Sequence, residues 1–235
     1  MTAKEIEIAL QTHADAKDAV FLQRYFKTGE GQYGAGDTFI GIRVPAIRAV
    51  CKKFKALPLA EAEKLLASPI HEYRVAAVIM LANQFAGAPD DVRKAIFDLY
   101  LKNVYNGRIN NWDIVDISAE FIIGEYLHDK PRDVLFELAK SDSIWQRRVA
   151  MLSAFQFVKA GDASTTLALA EVLLHDQHDL IQKAVGWMLR EVGKRCDESL
   201  LLAFLEKHAK TMPRTMLRYA VERLTPEQKA YFMAR

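Results

Sequence analysis

One predicted helix presents a tryptophan among three cations. In the segment 179–193, apolar residues recur at helical spacing and predict a buried stripe of Ile181, Ala184, Val185, Met188 and Val192. The opposite side then carries Lys183, Trp187, Arg190 and Lys194. Such a face suits the backbone of a nucleic acid, because cations can meet phosphates while the ring packs on a sugar or a base. Alternatively, the tryptophan packs on a neighbouring helix and the cations are only solvated.

The stretch NNWDIVDIS (110–118) combines an aromatic residue with two acids at the start of another predicted helix. The buried stripe of this helix is predicted to consist of Ile114, Ser118, Phe121 and Ile122, flanked by Val115 and Ile117. Trp112 and Asp116 are four residues apart and, with Ile123, are predicted to point away from the stripe. Asp113 is an ordinary first-turn acid, which complements the helix macrodipole. Trp112 and Asp116 are therefore either a solvated surface pair or part of a functional site.

Arg148 is a cation in apolar surroundings. Its neighbours on the predicted helix are Ile144, Trp145, Met151 and Leu152. The guanidinium must therefore either extend to solvent or find a partner. Removing the partner of a buried charge typically costs about 3–5 kcal/mol, so a nearby carboxylate is expected. Asp116, one predicted repeat earlier, is the candidate.

Helices must position these residues, because apolar residues recur at intervals of three and four along the whole chain. No alternating stretch is long enough to indicate a strand. The predicted helices cover residues 4–12, 15–27, 45–55, 59–67, 72–86, 90–104, 111–127, 131–140, 144–159, 164–174, 179–193, 197–208, 213–223 and 226–233.

The longer helices indicate a structural repeat. Equivalent positions in four of them are occupied by Ala76, Ala150, Ala184 and Ala220, with separations of 74, 34 and 36 residues. The helix from residue 111 lies midway in the longest gap. A period in the mid-thirties made of helix pairs is typical of an α-solenoid, and the lack of a TPR consensus favours HEAT-like repeats. We therefore predict an all-α fold, with one HEAT-like α-solenoid domain over residues 1–235 and a concave surface that can bind an extended ligand.

Composition narrows the class of protein. The chain has 235 residues, of which 51% are hydrophobic, so it can bury a sizeable core. It shows neither a leader nor an apolar run of about 18 residues, so we expect a cytoplasmic protein that does not enter a membrane. Cys51 and Cys196 are far apart and are expected to be reduced and mostly packed. The net charge is only +2, so attraction to a polyanion requires a local basic surface.

Three further features give weaker signals. The loop 27–45 contains GEGQYG, which matches GxGxxG, but it follows a helix and lacks the ending of a P-loop. We expect it to cap and join helices. His175 and His178 have HxxH spacing without an obvious third ligand, so capping is expected in place of metal binding. Tyr25 has apolar residues one turn before it and is expected to lie in the core. Nothing resembles a nucleophile elbow or indicates a cofactor.

Three motifs together resemble a known family. W-D-I-V-D (112–116), W-Q-R-R (145–148) and I-Q-K-A-V-G-W-M-L-R-E (181–191) occur in this order on tandem helical pairs and look like the AlkD-type DNA alkylation repair proteins. The resemblance covers nearly the whole chain, including the early R-Y-F-K segment. It implies a HEAT-like DNA glycosylase that acts on N3- and N7-alkylated purines in double-stranded DNA. A solenoid of this size is expected to be a monomer.

The resemblance also assigns roles to individual residues. Asp116 matches the catalytic carboxylate of the family, and Trp112 and Trp187 match the aromatic residues that contact the damaged nucleotide. Arg148 matches an arginine near the DNA backbone and the carboxylate, and Tyr25 matches a tyrosine at the same site. The residues assigned to phosphate contacts from the helical wheel are Lys183, Arg190 and Lys194.

The implied chemistry suits these residue types. Glycoside hydrolysis normally needs two carboxyl groups, one of which protonates the leaving group. A cationic alkylpurine is already activated, so one carboxylate and aromatic faces suffice to stabilise positive charge on the deoxyribose and to position water. The family is understood to work without drawing the base into a tight pocket. Two alternatives stay open: a noncatalytic relative that binds unusual DNA structures, and a solenoid that binds other proteins.

Overall fold

The protein, described over residues 1–235 by a computed structural model, is built from helices. Its strand-like pairing is limited to an isolated bridge between Thr38 and Ile70. The prediction of an all-α fold is confirmed. The chain divides into two compact units, Met1–Ile122 and Ile123–Arg235, while a single domain over residues 1–235 stays a prediction. No helix combines the length and the apolar character needed to span a membrane.

The first unit is organised around one buried helix. It contains α1 (Ala3–Gln11), α2 (Ala16–Tyr25), α3 (Val44–Cys51), α4 (Leu59–Leu66), α5 (His71–Phe85), α6 (Asp90–Tyr105) and α7 (Trp112–Asp116). Local signals start several of these helices: Thr2 and Glu5 form a capping box at α1, and Asp15 caps α2. Helix α5 packs against α3, α4, α6 and α7. It is therefore buried from His71 to Leu81, including its charged residues.

The second unit is organised around α12. It contains α8 (Asp133–Ala139), α9 (Ile144–Ser153), α10 (Phe155–Lys159), α11 (Ser164–Val172), α12 (Asp179–Arg195), α13 (Glu198–His208), α14 (Arg214–Ala220) and α15 (Pro226–Met233). Helix α12 packs against α9, α10, α11, α13 and α14. Its contact with α14 is close enough that a Cβ on Gly186 would lie 2.3 Å from the Met216 carbonyl oxygen. A residue without a side chain is therefore required there.

The predicted helix over 111–127 is interrupted. Helix α7 ends at Asp116, and a π-helix runs over Glu120–Gly124. A π-helix is wound more widely than an α-helix, so the residues from Glu120 onward are displaced around the axis. As a result, Phe121 is 47% exposed and Ile123 is fully buried. The orientations predicted for these two residues were wrong, whereas Ile114, Ser118 and Ile122 are buried as predicted.

The other helices agree with the prediction to within a few residues, except that 144–159 is divided at Ala154 into α9 and α10. The residues used to align the repeat, Ala76, Ala150, Ala184 and Ala220, are all buried. Small residues at these positions therefore serve helix packing.

Candidate functional site

The start of α7 is held in an uncommon backbone conformation. Asn111 has a positive φ of 72°, which is uncommon for a residue other than glycine. Its side-chain oxygen accepts a hydrogen bond from the Trp112 N–H at 3.0 Å, and its amide donates to Asp37 Oδ2 at 3.1 Å. A Cβ on Gly34 would lie 2.4 Å from the Phe26 carbonyl oxygen, at the end of α2, and 3.2 Å from Asn111 Nδ2. The glycine-rich loop therefore packs tightly against the start of α7.

The same loop is also bound to α5 through its backbone. The backbone N–H groups of Ile40, Gly41 and Ile42 donate to the carboxylate of Glu72 at 2.8–3.2 Å. Glu72 lies in the first turn of α5 and is 1% exposed. These amides thus bind a carboxylate of the protein itself. The loop joins α2 to α3, and its Thr38 carbonyl oxygen accepts the N–H of His71 at 2.9 Å at the start of α5, so the prediction that the loop joins and caps helices is confirmed.

Asp37 is the centre of a buried polar network. Its carboxylate accepts hydrogen bonds from Arg74 Nη2 at 2.6 Å, from Asn111 Nδ2 at 3.1 Å and from Asn110 Nδ2 at 3.3 Å, and it lies 3.2 Å from His71 Nδ1. Burial opposes its ionisation, but His71, Arg74 and Asn111 outweigh this and lower the pKa of Asp37 to about 2. Asp37 therefore links the loop, α5 and the start of α7 through a charged group.

His71 connects this centre to the first turn of α7. Its Nε2 lies 2.8 Å from Asp113 Oδ2, and the Asp113 Oδ1 accepts the N–H of Ile114 at 2.9 Å. Burial disfavours the protonated ring, but the Asp113 carboxylate outweighs it, so the pKa of His71 is raised. Asp113 is thus more than the ordinary first-turn acid of the sequence prediction, because it also fixes the orientation of the turn.

Trp112 lies over an aromatic cluster. Its ring stacks on Phe26 with centroids 5.1 Å apart, and Phe26 stacks on Phe39. The other neighbour is Tyr25, which meets the indole edge to face at 6.0 Å. Trp112 is therefore half-buried, and the prediction that it points away from the core was wrong for one side of the ring. The rigid stack fixes the indole plane.

Tyr25 is an exposed residue. Its side chain is 55% accessible, so the core position predicted from its apolar neighbours was wrong. Helix α2 ends at Tyr25, which places the ring at the edge of the core. Beside it opens an apolar cavity of about 360 Å³, whose lining includes Phe21, Phe39 and Asp113. Tyr25 and Trp112, the two aromatic residues of the first unit to which the family resemblance assigns a role, are thus in contact.

Asp116 lines a different cavity. It is half-buried at the last position of α7, one helical turn after Trp112. The cavity measures about 310 Å³ and is lined by Arg48, Ile79, Ala82, Asn83, Ala86, Asp116, Ile117 and Phe121. The carboxylate is close enough to the buried hydroxyl of Tyr100 to add to the burial that raises its pKa. Asp116 therefore combines access to solvent with a partly apolar surrounding.

The face of α12 in the second unit has the predicted buried stripe, with Ile181, Ala184, Val185, Met188 and Val192 at most 1% exposed. On the other side, Lys183 pairs with Asp179 at 2.8 Å, Arg190 pairs with Glu222, and Lys194 is exposed. Trp187 is half-buried, with its ring centroid 6.0 Å from that of Phe155. The tryptophan thus contacts a neighbouring helix, Lys183 and Lys194 reach the surface, and the Arg190 side chain is only 16% exposed. A role of this face in nucleic-acid binding stays a prediction.

Arg148 does not extend to solvent. It is 5% exposed, and its Nη1 donates to the carbonyl oxygen of Leu180, in the first turn of α12, at 2.7 Å. Its pairing with Asp116 stays a prediction.

The minor features of the sequence have structural roles. His178 Nδ1 accepts the N–H of Leu180 and caps α12, as predicted. No three side chains of the metal-binding types are grouped to hold an ion. Cys51 and Cys196 are free thiols, and burial raises the pKa of Cys51 to about 12. These thiols are packed, as predicted.

Sequence reasoning missed Asp37, His71 and Arg74. A signal was present, because H-E-Y-R (71–74) carries three ionisable residues directly before the apolar run V-A-A-V-I-M-L. Charges at the start of a fully apolar helix indicate buried partners. A helical wheel describes one helix at a time and does not identify those partners, since Asp37 is 34 residues from His71 and 74 from Asn111.

The fold has a counterpart among solved structures. A structure described as "Predicted DNA alkylation repair enzyme from Enterococcus faecalis" matches with a TM-score of 0.72 and 19% sequence identity, over 92% of this chain and 99% of that chain. At this identity the similarity shows the fold alone. No curated protein is similar enough to count as a match.

The sequence identifies the family. Residues 6–224 match the model of the DNA alkylation repair enzyme family, which is nearly the whole chain. The chain therefore belongs to this family. Membership indicates a role in the enzymatic repair of alkylated DNA, and hence a DNA substrate.

Proposed function

We propose that the protein is a monofunctional DNA glycosylase for cationic N3- and N7-alkylated purines, such as 3-methyladenine and 7-methylguanine, in double-stranded DNA. The observation that carries the proposal is the position of Asp116 in an open cavity, one turn after Trp112 on α7. The first turn of this helix is fixed by the buried His71, which contacts Asp113. Family membership supports the repair of alkylated DNA. The reaction itself is inferred from the chemistry of the site.

Hydrolysis breaks the bond between C1′ of the deoxyribose and the purine nitrogen. The bonding electrons neutralise the alkylated base, which leaves without needing a proton. Positive charge grows on the sugar, and the Asp116 carboxylate stabilises it and accepts a hydrogen bond from the incoming water. The water oxygen bonds to C1′, and its proton passes to solvent. One carboxylate suffices because the substrate, unlike an ordinary glycoside, is already activated.

The aromatic residues contribute binding. Trp112 and Tyr25 offer π faces that attract a cationic nucleotide. In the second unit, Trp187, Lys183, Arg190 and Lys194 would hold the DNA, with the cations on phosphates and the indole on a sugar or base. Lys183 and Arg190 already have acidic partners, so they would exchange those partners for phosphates on binding. Arg148 would lie near the DNA backbone.

The test is release of alkylated base from methylated duplex DNA under single-turnover conditions. Asp116→Asn should slow release by roughly 10²–10³-fold while DNA affinity changes little, because one preorganised electrostatic group is lost. The matched control is Asp98→Asn, which removes an exposed acid paired only with Lys94 and should leave release unchanged.

Two results would replace this proposal. If the wild type binds DNA tightly but releases neither 3-methyladenine nor 7-methylguanine, the protein is a noncatalytic DNA-binding relative. If it shows no DNA affinity even at low salt, the surfaces serve another partner, and a protein ligand becomes the better interpretation.

A further inference from the structure

Two other helices of the first unit border the open cavity around Asp116. On α5, Ile79, Ala82 and Asn83 line it, and their spacing places them on one helical face; Ala86, directly after the helix, also lines it. Arg48 on α3 and the exposed Phe121 complete the wall. Two polar side chains, Arg48 and Asn83, therefore share an open cavity with the proposed catalytic carboxylate.

These two side chains have no hydrogen-bond or ion-pair partner in the protein, and both are exposed. Nearby residues of the same types differ. Arg43 forms a two-pronged ion pair with Asp18, and Gln84 donates to the Leu57 carbonyl oxygen at 2.9 Å. The donor groups of Arg48 and Asn83 are thus available to a ligand, whereas those of Arg43 and Gln84 form hydrogen bonds within the protein.

We propose that Arg48 and Asn83 position the substrate at Asp116, Arg48 by binding a phosphate of the lesion-bearing strand and Asn83 by orienting the hydrolytic water. This rests on the proposed function. A guanidinium binds phosphate oxygens through paired N–H groups. A side-chain amide can donate to and accept from the same water, so Asn83 can hold the water while Asp116 accepts one of its protons in a hydrogen bond. Ile79, Ile117 and Phe121 limit competing solvent.

Arg48 is tested by the salt dependence of DNA binding. Arg48→Ala should weaken affinity for an alkylated duplex roughly tenfold and reduce the slope of log K against log salt by about one phosphate contact. Arg48→Lys should restore much of the slope, since the charge is kept. Lys53→Ala, an exposed cation after the end of the same helix that does not line the cavity, is the control. A slope for Arg48→Ala equal to that of wild type would overturn the phosphate role.

Asn83 is tested by separating binding from chemistry. Asn83→Ala should leave DNA affinity and the melting temperature unchanged and slow base release at saturating enzyme by about 10- to 100-fold, because water is no longer oriented. Gln84→Ala removes the adjacent amide, which bonds within the protein, and should lower the melting temperature without slowing release. An unchanged release rate for Asn83→Ala, or a loss explained by weaker binding, would refute the water-positioning role.

The experiments distinguish failure of the glycosylase proposal from failure of the roles of Arg48 and Asn83. If the wild type releases no base, the glycosylase proposal fails and the Asn83 role fails with it, but the salt slope still tests Arg48 as a phosphate ligand. If release depends on Asp116 and not on Asn83, the glycosylase proposal stands and only the positioning role is lost.

Discussion

The protein positions two tryptophans by different means. Trp112 opens a helix of only 5 residues, which is too short to be stable alone. Its N-cap and first turn are held by Asp37 and His71, from a distant loop and a buried helix. Trp187 lies within a helix of 17 residues whose face follows from ordinary periodicity.

The charged residues near the two tryptophans also differ in their burial. The charges behind α7 are buried and mutually dependent, so removing one leaves the others without compensation. Those on α12 are at or near the surface, where an ion pair contributes little to stability and phosphate can replace an acidic partner. The region around Trp112 should therefore be sensitive to changes in its support, and the α12 face sensitive mainly to changes in its own exposed residues.

The largest expected effect comes from breaking the support of α7. Asp37→Ala leaves the Arg74 guanidinium buried without its carboxylate, and should lower the free energy of unfolding by about 3–5 kcal/mol. Urea denaturation followed by circular dichroism measures this. Asp18→Ala removes an ion pair with Arg43 that is largely exposed and should cost less than about 1 kcal/mol. Equal losses of stability in the two variants would show that the buried network at the start of α7 contributes no more than an exposed ion pair.

Replacing the two tryptophans should sharpen the comparison. Trp187→Ala should weaken DNA binding by roughly 10- to 100-fold, the usual cost of a lost stacking platform, with a small change in stability. Trp112→Ala also loses its stack on Phe26, so it should lower both base release and the melting temperature. Titration of duplex DNA and thermal melting of both variants distinguish the cases. A larger loss of stability for Trp187→Ala would contradict the comparison.

A smaller effect is expected where α12 meets α14. Gly186→Ala adds a Cβ that would lie 2.3 Å from a backbone oxygen, so it should destabilise the protein by about 1–3 kcal/mol despite the better helix propensity of alanine. Gly193→Ala on the same helix would bring a Cβ to 2.7 Å from Leu201 Cδ2, a side-chain end, and not against backbone. It should therefore destabilise the protein less than Gly186→Ala. Denaturation midpoints compare the two, and a neutral Gly186→Ala would show that the helices can separate there.

The smallest expected effect is a pH dependence. His71 faces Asp37, Asp113 and Arg74, and its pKa is raised on folding. The folded protein then binds the proton more tightly than the unfolded chain. This contribution to stability is complete below the unfolded pKa of about 6.5 and is lost as pH rises through the folded value. Asp37 acts oppositely, since its contribution is lost as pH falls from its ordinary 3.8 through about 2.

Denaturation at a series of pH values checks this. His71→Asn should reduce the decline in stability above neutral pH, and His13→Asn, which removes an exposed histidine, should not. A wild-type stability that rises over that interval would mean that the histidine is neutral when folded.

Much of the α12 face was predictable from sequence, because a regular helix repeats its own geometry. The buried stripe and the positions of Lys183, Trp187 and Lys194 all follow from spacing. The same reasoning worked only in part for the predicted helix from residue 111. Ser118 and Ile122 are buried as predicted, but the π-helix changed the register, so Phe121 and Ile123 took the opposite environments.

The amino-acid sequence alone determined that the chain is helical, where most helices begin and end, and which motifs tie it to its family. Those features depend on apolar periodicity, caps and short segments, which are local. Tertiary structure alone decided that Tyr25 is exposed beside Trp112, that Asp37 and His71 hold the first turn of α7, and that Arg48 and Asn83 line one cavity with Asp116. These contacts join residues far apart in the chain, and no periodicity along one helix specifies which distant side chain packs against it.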